Sequence, residues 1–264
     1  MTPASAHAVP SVPAASPELP LGTRIAIFVR LLAIQGAWNY EIMMGNGIGF
    51  CVEPALRLLP GGVHTPRFKA ALARQSRYFN AHPYLAAVAV GALARAELDG
   101  EPPERIERFR TALCGPLGSV GDRLVWAGWL PFCSLAALAL FGLGAGTLPV
   151  VAFFLLLYNV GHLGVRLWGL QTGWTHGLRV AQSLANPVMR HGPQQIGRLA
   201  ALAAGMALPL ALVRIIGSGR TLIGAVLVAV AVGAVVIVRL QARVEGWRLA
   251  LGVLVLFILL SVLR

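Results

Sequence analysis

Apolar positions along this chain fall into long runs instead of the sparse stripes of a water-facing helix or the alternation of a strand. Residues 23–38 are mainly apolar, with Arg24 and Arg30 spaced six apart, a pattern that predicts a helix lying at a membrane surface or entering the protein interior. Pro66 opens PRFKAALARQSRYF, in which Phe68, Ala71, Leu72 and Phe79 recur near one side while Lys69, Arg74 and Arg77 lie elsewhere. That spacing predicts an amphipathic helix at an interface or in the cytoplasm. Residues 84–94 are nearly unbroken in apolar character but reach only about 17 Å as a helix, against a hydrocarbon core of about 30 Å, so they do not cross alone. Residues 97–110 carry both signs of charge and belong outside lipid.

The next segment, ALCGPLGSVGDRLVWAGWLPF, is apolar but interrupted by glycines, prolines, Asp122 and Arg123. Such breaks predict a re-entrant or discontinuous helix, because open backbone at membrane depth is tolerated only under cover of protein or a watery cavity. Residues 133–160 form the longest apolar block, and Gly142, Gly144, Gly146 and Pro149 near its middle fit one kinked span or two helices joined by a turn. Three later runs are cleaner: 199–216 with Pro209 inside, 222–238, and 249–263 with Trp247 and Arg248 at its edge. The fold expected is an all-α integral membrane protein with four or five transmembrane helices, additional re-entrant or discontinuous helices and an N-terminal amphipathic region. Residues 1–22, rich in proline, alanine and serine and lacking the basic start and apolar core of a signal peptide, read as a disordered leader to a membrane domain over 23–264.

Composition agrees with the pattern. Hydrophobic residues make up 57% of the 264 and charged ones only 12%, and the mean hydropathy is +0.72. A soluble protein of this size has roughly 25% charged residues and needs far more than the ten carboxylates present to cover its surface. The net charge of +12 comes almost entirely from arginine, Lys69 being the one lysine, scattered between apolar runs without a nucleic-acid recognition module. Arginines at span ends serve instead to hold loops against anionic lipid on the cytoplasmic side. Cys51, Cys114 and Cys133 lack metal or redox spacing and read as free thiols.

A search for catalytic chemistry finds no metal-ligand cluster, no nucleophile elbow and no phosphate loop; the glycines of GPLGSVGD follow neither dinucleotide nor phosphate-loop spacing. No catalytic residue, metal or cofactor is therefore assigned. What stands out is polarity in apolar surroundings: Asn39 and Glu41 beside Trp38 and Tyr40, Asn80 and His82 between aromatics, Asp122 in the glycine-broken segment, and Asn159, His162 and Arg166 after the longest apolar run. Buried amides and carboxylates need internal partners. One account pairs Glu41 or Asp122 with Arg123 or Arg166 to tie helices together. The other has these groups line a polar cavity for a small hydroxylated solute, amides and carboxylates taking its hydroxyls and aromatic rings its apolar face.

QGAWNYEIMMGNGIGFCVEPALRLL, ARQSRYFNAHPYLAAVAVG, CGPLGSVGDRLVWAGWLPF and YNVGHLGVRLWGLQTGWTHG, in this order, resemble the signatures of the IID component of mannose/fructose/sorbose-type sugar phosphotransferase permeases. The likeness covers about residues 24–264 and is most specific over 35–180. It implies a multi-pass subunit of the bacterial inner membrane that works with a IIC subunit, in assemblies of several such pairs, to bind and translocate a hexose. Cytoplasmic IIA and IIB proteins phosphorylate that hexose, and the IID chain itself is non-catalytic. The alternative is a divergent IID-like subunit that assembles or regulates without transporting. By the same resemblance Trp38, Asn39 and Glu41 match the W-N-(F/Y)-E segment, Asn80 and Pro83 the F-F-N-x-(H/Q)-P segment, and Gly115, Pro116, Gly121 and Asp122 the G-P-L-(A/G)-x-(V/I)-G-D segment. The substrate-binding residues it implies are Trp38, Asn39, Glu41, Asn80 and Asp122. The chain departs from the family pattern at Gln75, Tyr78, Arg123 and Leu130, where His, Phe, Pro or Ser, and Arg are usual.

Overall fold

The computed structural model describes residues 18–180, 187–216 and 224. The runs 222–238, apart from residue 224, and 249–263, and the leader expected over 1–22 apart from its last residues, lie outside them. Among the described residues every regular element is helical, and the only strand-like pairings are isolated bridges at Asn39, Met43 and Phe79.

α1 (Leu21–Leu32) buries Ile27 and Leu31. α2 (Gly45–Leu56) follows a tight loop, and a short 3₁₀ turn at Gly62–His64 leads to α3 (Pro66–Gln75). The α3 start is fixed chemically: Thr65 caps it by accepting the Phe68 N–H, and Pro66 occupies the first turn, where its missing N–H costs nothing. α3 is amphipathic, as its spacing predicts, but its apolar side packs Phe68, Ala71 and Gln75 onto the protein core.

α4 (Ala86–Leu98) is the centre of that core. Nearly all of its residues are inaccessible, enclosed by α2, α5 (Pro103–Gly121) and the C-terminal part of α7 (Thr147–His176). This explains a run too short to cross a bilayer yet apolar on all sides: its surroundings are other helices. The α4–α7 crossing is close because Gly91 faces the Leu170 carbonyl and the Trp174 amide, while Gly173, one turn after Gly169, faces Val88. A methyl group at Gly173 would lie 2.1 Å from the Val88 carbonyl oxygen. In α2, Gly45, Gly47 and Gly49 likewise admit the Arg77 carbonyl, the Ile34 carbonyl and the Ser76 side chain.

The segment expected to be re-entrant or discontinuous does not turn back: it is one helical run whose regular ladder is interrupted by a π-helical stretch. α5 continues through a π-helical stretch, Asp122–Trp129, into α6 (Leu130–Gly142), giving a helix from Pro103 to Gly142. Glycine and proline loosen the hydrogen-bond ladder here without reversing the chain; Pro131 falls in the first turn of α6, and the wider π turns absorb the mismatch. The block 133–160 resolves into two helices joined at 143–146, α6 and α7. α8 (Pro187–Ile216) then lies along α6, with Gly128 against Ile196 and Gly142 against Leu210 and Ala211, so the two run in the same direction.

Three helical stretches, Pro103–Gly142, Thr147–Arg179 and Met189–Ile215, have the length and apolar composition to cross a membrane. Their outer faces show Leu148, Leu156, Val160, Leu202 and Ile215 at 62–80% exposure. A surface this apolar suits lipid or another membrane subunit.

Candidate functional site

The loop between α1 and α2 and the segment between α3 and α4 are joined through backbone. Phe79 donates its N–H to the Ile42 carbonyl at 3.2 Å, and Met44 donates to the Phe79 carbonyl at 3.0 Å. Within the loop Asn39 and Met43 exchange N–H···O bonds of 2.9 and 3.3 Å. Met43 adopts a positive φ of 52°, a left-handed conformation uncommon for a non-glycine residue, which the pairing on both sides holds in place. The 79–82 segment continues to α5: His82 donates its N–H toward the Leu117 carbonyl at 3.4 Å, and its Cβ sits where a side chain on Gly121 would be. The loop of Trp38, Asn39 and Glu41, then Asn80, then the Gly121–Asp122 turn of the long helix are thus consecutive parts of one strip.

Along it Trp38 is 42% and Tyr40 86% exposed, their rings in edge contact at 4.8 Å. Glu41, Asn80 and Asp122 are exposed and Asn39 is half-buried. The Asn39 carboxamide is largely occupied by its own loop: Oδ1 accepts the N–H groups of Glu41 and Ile42, each at 3.0 Å, and Nδ2 faces the Ala37 carbonyl at 3.4 Å. It is a turn-forming amide that sets how Trp38 and Glu41 are presented.

The pairings considered from sequence take a different form. Among the described residues neither Glu41 nor Asp122 forms an ion pair; Arg123 turns its Nε to the Ser119 carbonyl at 3.1 Å, and Arg166 donates to the Leu31 carbonyl and lies 4.6 Å over the Tyr84 ring. Arg166 belongs to an aromatic cluster with buried His82 and Tyr84 and half-buried Tyr158 and His162, bordered by exposed Trp126. Tyr84 and Tyr158 share a hydroxyl hydrogen bond of 2.6 Å, and His82 Nδ1 accepts the Tyr84 N–H at 3.2 Å. Burial first, and then the Arg166 charge, lower the His82 pKa to about 4, so this imidazole is neutral at physiological pH. Tyr158, His162 and Arg166 are spaced by four on one face of α7, a signal present in the sequence but weakened by reading each residue singly.

A second network is buried among the charges of 97–110, which the sequence predicts to face solvent. The Glu97 carboxylate accepts from Arg74 Nε and a terminal Arg74 nitrogen at 3.0 and 2.7 Å, and from Gln75 Nε2 at 2.6 Å. The Gln75 Oε1 accepts from Arg110 at 2.6 Å, and Arg110 also donates to the Gln75 and Arg77 carbonyls at 3.2 and 2.9 Å. Glu97, Gln75 and Arg110 are at most 5% exposed. The network clamps the segment leading into Phe79 and Asn80, and Gln75 serves it both as donor and as acceptor.

No group of three or more potential metal-ligating side chains occurs among the described residues. The strip offers amides, carboxylates and aromatic faces, chemistry for holding a polar solute or a partner's loop.

Comparison with known proteins gives this arrangement a family. The profile of the PTS system mannose/fructose/sorbose family IID component matches residues 19–206. The chain is 32% identical over 165 residues to the PTS system mannose-specific EIID component of Escherichia coli (strain K12), covering 60% of this chain and 56% of that one. It is also 32% identical over 169 residues to the fructose permease IID component of Bacillus subtilis (strain 168), covering 61% and 58%, and 31% identical over 179 residues to the sorbose-specific EIID component of Klebsiella pneumoniae, covering 64% and 62%. The match thus spans less than two thirds of these relatives' length. Two solved structures share the fold: a chain of the mannose transporter ManYZ in complex with microcin E492, with TM-score 0.54, 24% identity and coverage of 91% of this chain and 96% of that one, and another membrane protein with TM-score 0.67, 21% identity and the same coverage. Apolar helices of spanning length and relatives of this kind make it a protein of the bacterial inner membrane, and the chain belongs to the IID-component family of mannose/fructose/sorbose phosphotransferase systems.

Proposed function

We propose that this chain acts with a IIC subunit to bind a hexose and carry it across the membrane for phosphorylation by cytoplasmic IIA and IIB proteins, taking no covalent part itself. The observation that supports the reading is the backbone linkage of the loop carrying Trp38 and Glu41 to the segment carrying Asn80, and of that segment to the long helix that carries Asp122, with all four side chains exposed. A sugar presents hydroxyls and an apolar ring face together, and this combination of side chains answers both. The names of the relatives point the same way, and the solved ManYZ chain is one member of a two-protein transporter. Trp38, Glu41, Asn80 and Asp122 are assigned to the sugar or to the surface that closes over it, and Asn39 to positioning them.

The test is calorimetric titration of hexose into complexes of the chain coexpressed with a IIC subunit. Trp38→Ala, Glu41→Gln, Asn80→Ala and Asp122→Asn should each weaken binding by about 1–3 kcal/mol while the complex still assembles. Asn39→Ala should weaken it too, and Asn39→Asp, which keeps an acceptor for both loop N–H groups, should restore most of the loss. Parental affinity in all four variants of the first set would reject the strip as a sugar surface.

A further inference from the structure

Beside the strip, on the side toward α8, lies a cavity of about 760 Å³ lined by Val120, Arg123, Ala127, Met189, Arg190, Pro193 and Gln194. Arg123 comes from the π-helical stretch, whereas Arg190 and Gln194, spaced by four, share one face of α8. The Arg123 Nε bond to the Ser119 carbonyl fixes the guanidinium while leaving its two terminal nitrogens free of hydrogen bonds to described residues. Among the described residues no carboxylate lines the cavity, and Asp122, next to Arg123 in sequence, makes no ion pair with it. Two exposed arginines and a glutamine thus line one open cavity, with no acidic side chain among its described lining residues.

The position of Arg190 strengthens the case. It stands in the first turn of α8, a turn without acidic residues, at the end of a thirty-residue helix where backbone N–H groups and the dipole already favour negative charge. The dipole disfavours a cation there by a modest amount, and an accompanying anion offsets it. Depth also matters. α6 and α8 run in the same direction from this point, and the cavity lies at the start of the spanning stretch Met189–Ile215 and within the long helix Pro103–Gly142. Trp126 and Trp129 lie on the same stretch, in the manner of residues at a membrane–water boundary.

We propose that this cavity binds a phosphate ester, with Arg123 and Arg190 gripping the phosphate and Gln194 adding a donor, and that its resident is the headgroup of an anionic phospholipid. Guanidinium forks match phosphate oxygens in pairs, and Val120, Ala127, Met189 and Pro193 offer apolar contact for the glycerol and the upper acyl chain. A soluble phosphate ester would meet the same donors but gain nothing from the apolar lining.

The full chain, in the assembly in which it copurifies, would be reconstituted into phosphatidylcholine nanodiscs containing graded phosphatidylglycerol, and lipids retained after release counted by native mass spectrometry. Phosphatidylglycerol should be retained in preference to phosphatidylcholine, and the double variant Arg123→Gln/Arg190→Gln should lower its apparent affinity by about tenfold or more. Arg108→Gln, an exposed arginine outside the cavity, should change nothing. The double variant Arg123→Lys/Arg190→Lys keeps both charges, and partial recovery of retention in it separates loss of the site from loss of the fold. Retention of phosphatidylglycerol by the glutamine variant at the parental level would overturn the site. In a parallel arm, glycerol 3-phosphate is titrated onto delipidated protein; arginine-dependent binding there, with no arginine-dependent lipid retention, would overturn the lipid as resident and assign the cavity to a free phosphate ester.

Discussion

Single residues set the geometry of the strip through buried partners that never reach its surface. Glu97 neutralises Arg74 and, through Gln75, orients Arg110, which in turn holds the carbonyls preceding Phe79. Removing the carboxylate with Glu97→Ala leaves Arg74 without its ion-pair partner and the Gln75 amide without its acceptor in a site that water scarcely enters, and breaking a buried pair in this way costs about 3–5 kcal/mol. The expected outcome is a large drop in the midpoint of thermal unfolding in detergent together with reduced yield; an unchanged midpoint would mean that water enters the network freely. His82 makes a prediction in pH. Its folded-state pKa of about 4 lies below the ordinary 6.5, so between those values the unfolded chain takes up a proton that the folded chain refuses. The stabilisation is complete above pH 6.5 and lost as pH falls toward 4. Unfolding midpoints measured across this range should decline with acidification, and the decline should shrink in His82→Asn, whose carboxamide oxygen can still accept the Tyr84 N–H.

At the scale of helices, close approach is decided by glycine. Gly173→Ala would set a methyl group against the Val88 carbonyl where α4 and α7 cross, forcing the helices apart, an overpacking cost of about 1–3 kcal/mol or more. Gly164→Ala, on the same helix, meets nothing within 4 Å and should show only the gain in helix propensity, up to about 1 kcal/mol. Comparing the unfolding midpoints of the two variants isolates packing from helix propensity. Much of this layer can be read from the chain. Thr65-Pro66 announces the start of α3, and apolar runs of spanning length announce α6 to α8. The helical continuity of 103–142 was not legible, because the glycines and prolines that weaken a helix look the same whether the chain turns back or passes through a π-helical stretch. Burial of Glu97 and Arg110 was hidden for a related reason: charge density in sequence reports solvent exposure only when no partner lies across the fold, and Gln75 and Arg74 are more than twenty residues away. The motif residues Trp38, Asn39, Glu41, Asn80 and Asp122 could be picked out, but not the backbone pairing around Met43 and Phe79 that joins them.

The whole molecule divides its surface sharply. α4 is enclosed on all sides, while α7 and α8 present leucine, valine and isoleucine outward along much of their length. Expressed alone and extracted in mild detergent, the chain should aggregate or exchange between sizes; coexpressed with a IIC subunit it should elute as one stable complex. Size-exclusion chromatography with light scattering measures this directly, and a monodisperse solitary chain that binds hexose would remove the need for a companion. The enclosure of α4 has a further consequence, in time. Gly91 meets Gly173, so the centre of the core waits for a helix made about 80 residues later, some seconds of synthesis at about 5–20 residues per second. Throughout that interval a nascent α4, apolar around its whole circumference and too short to rest across a bilayer, has no native neighbour for one of its faces. The ribosome must deliver α7 before the first half of the protein can close, which makes membrane insertion of the later helices the event that completes folding of the earlier ones.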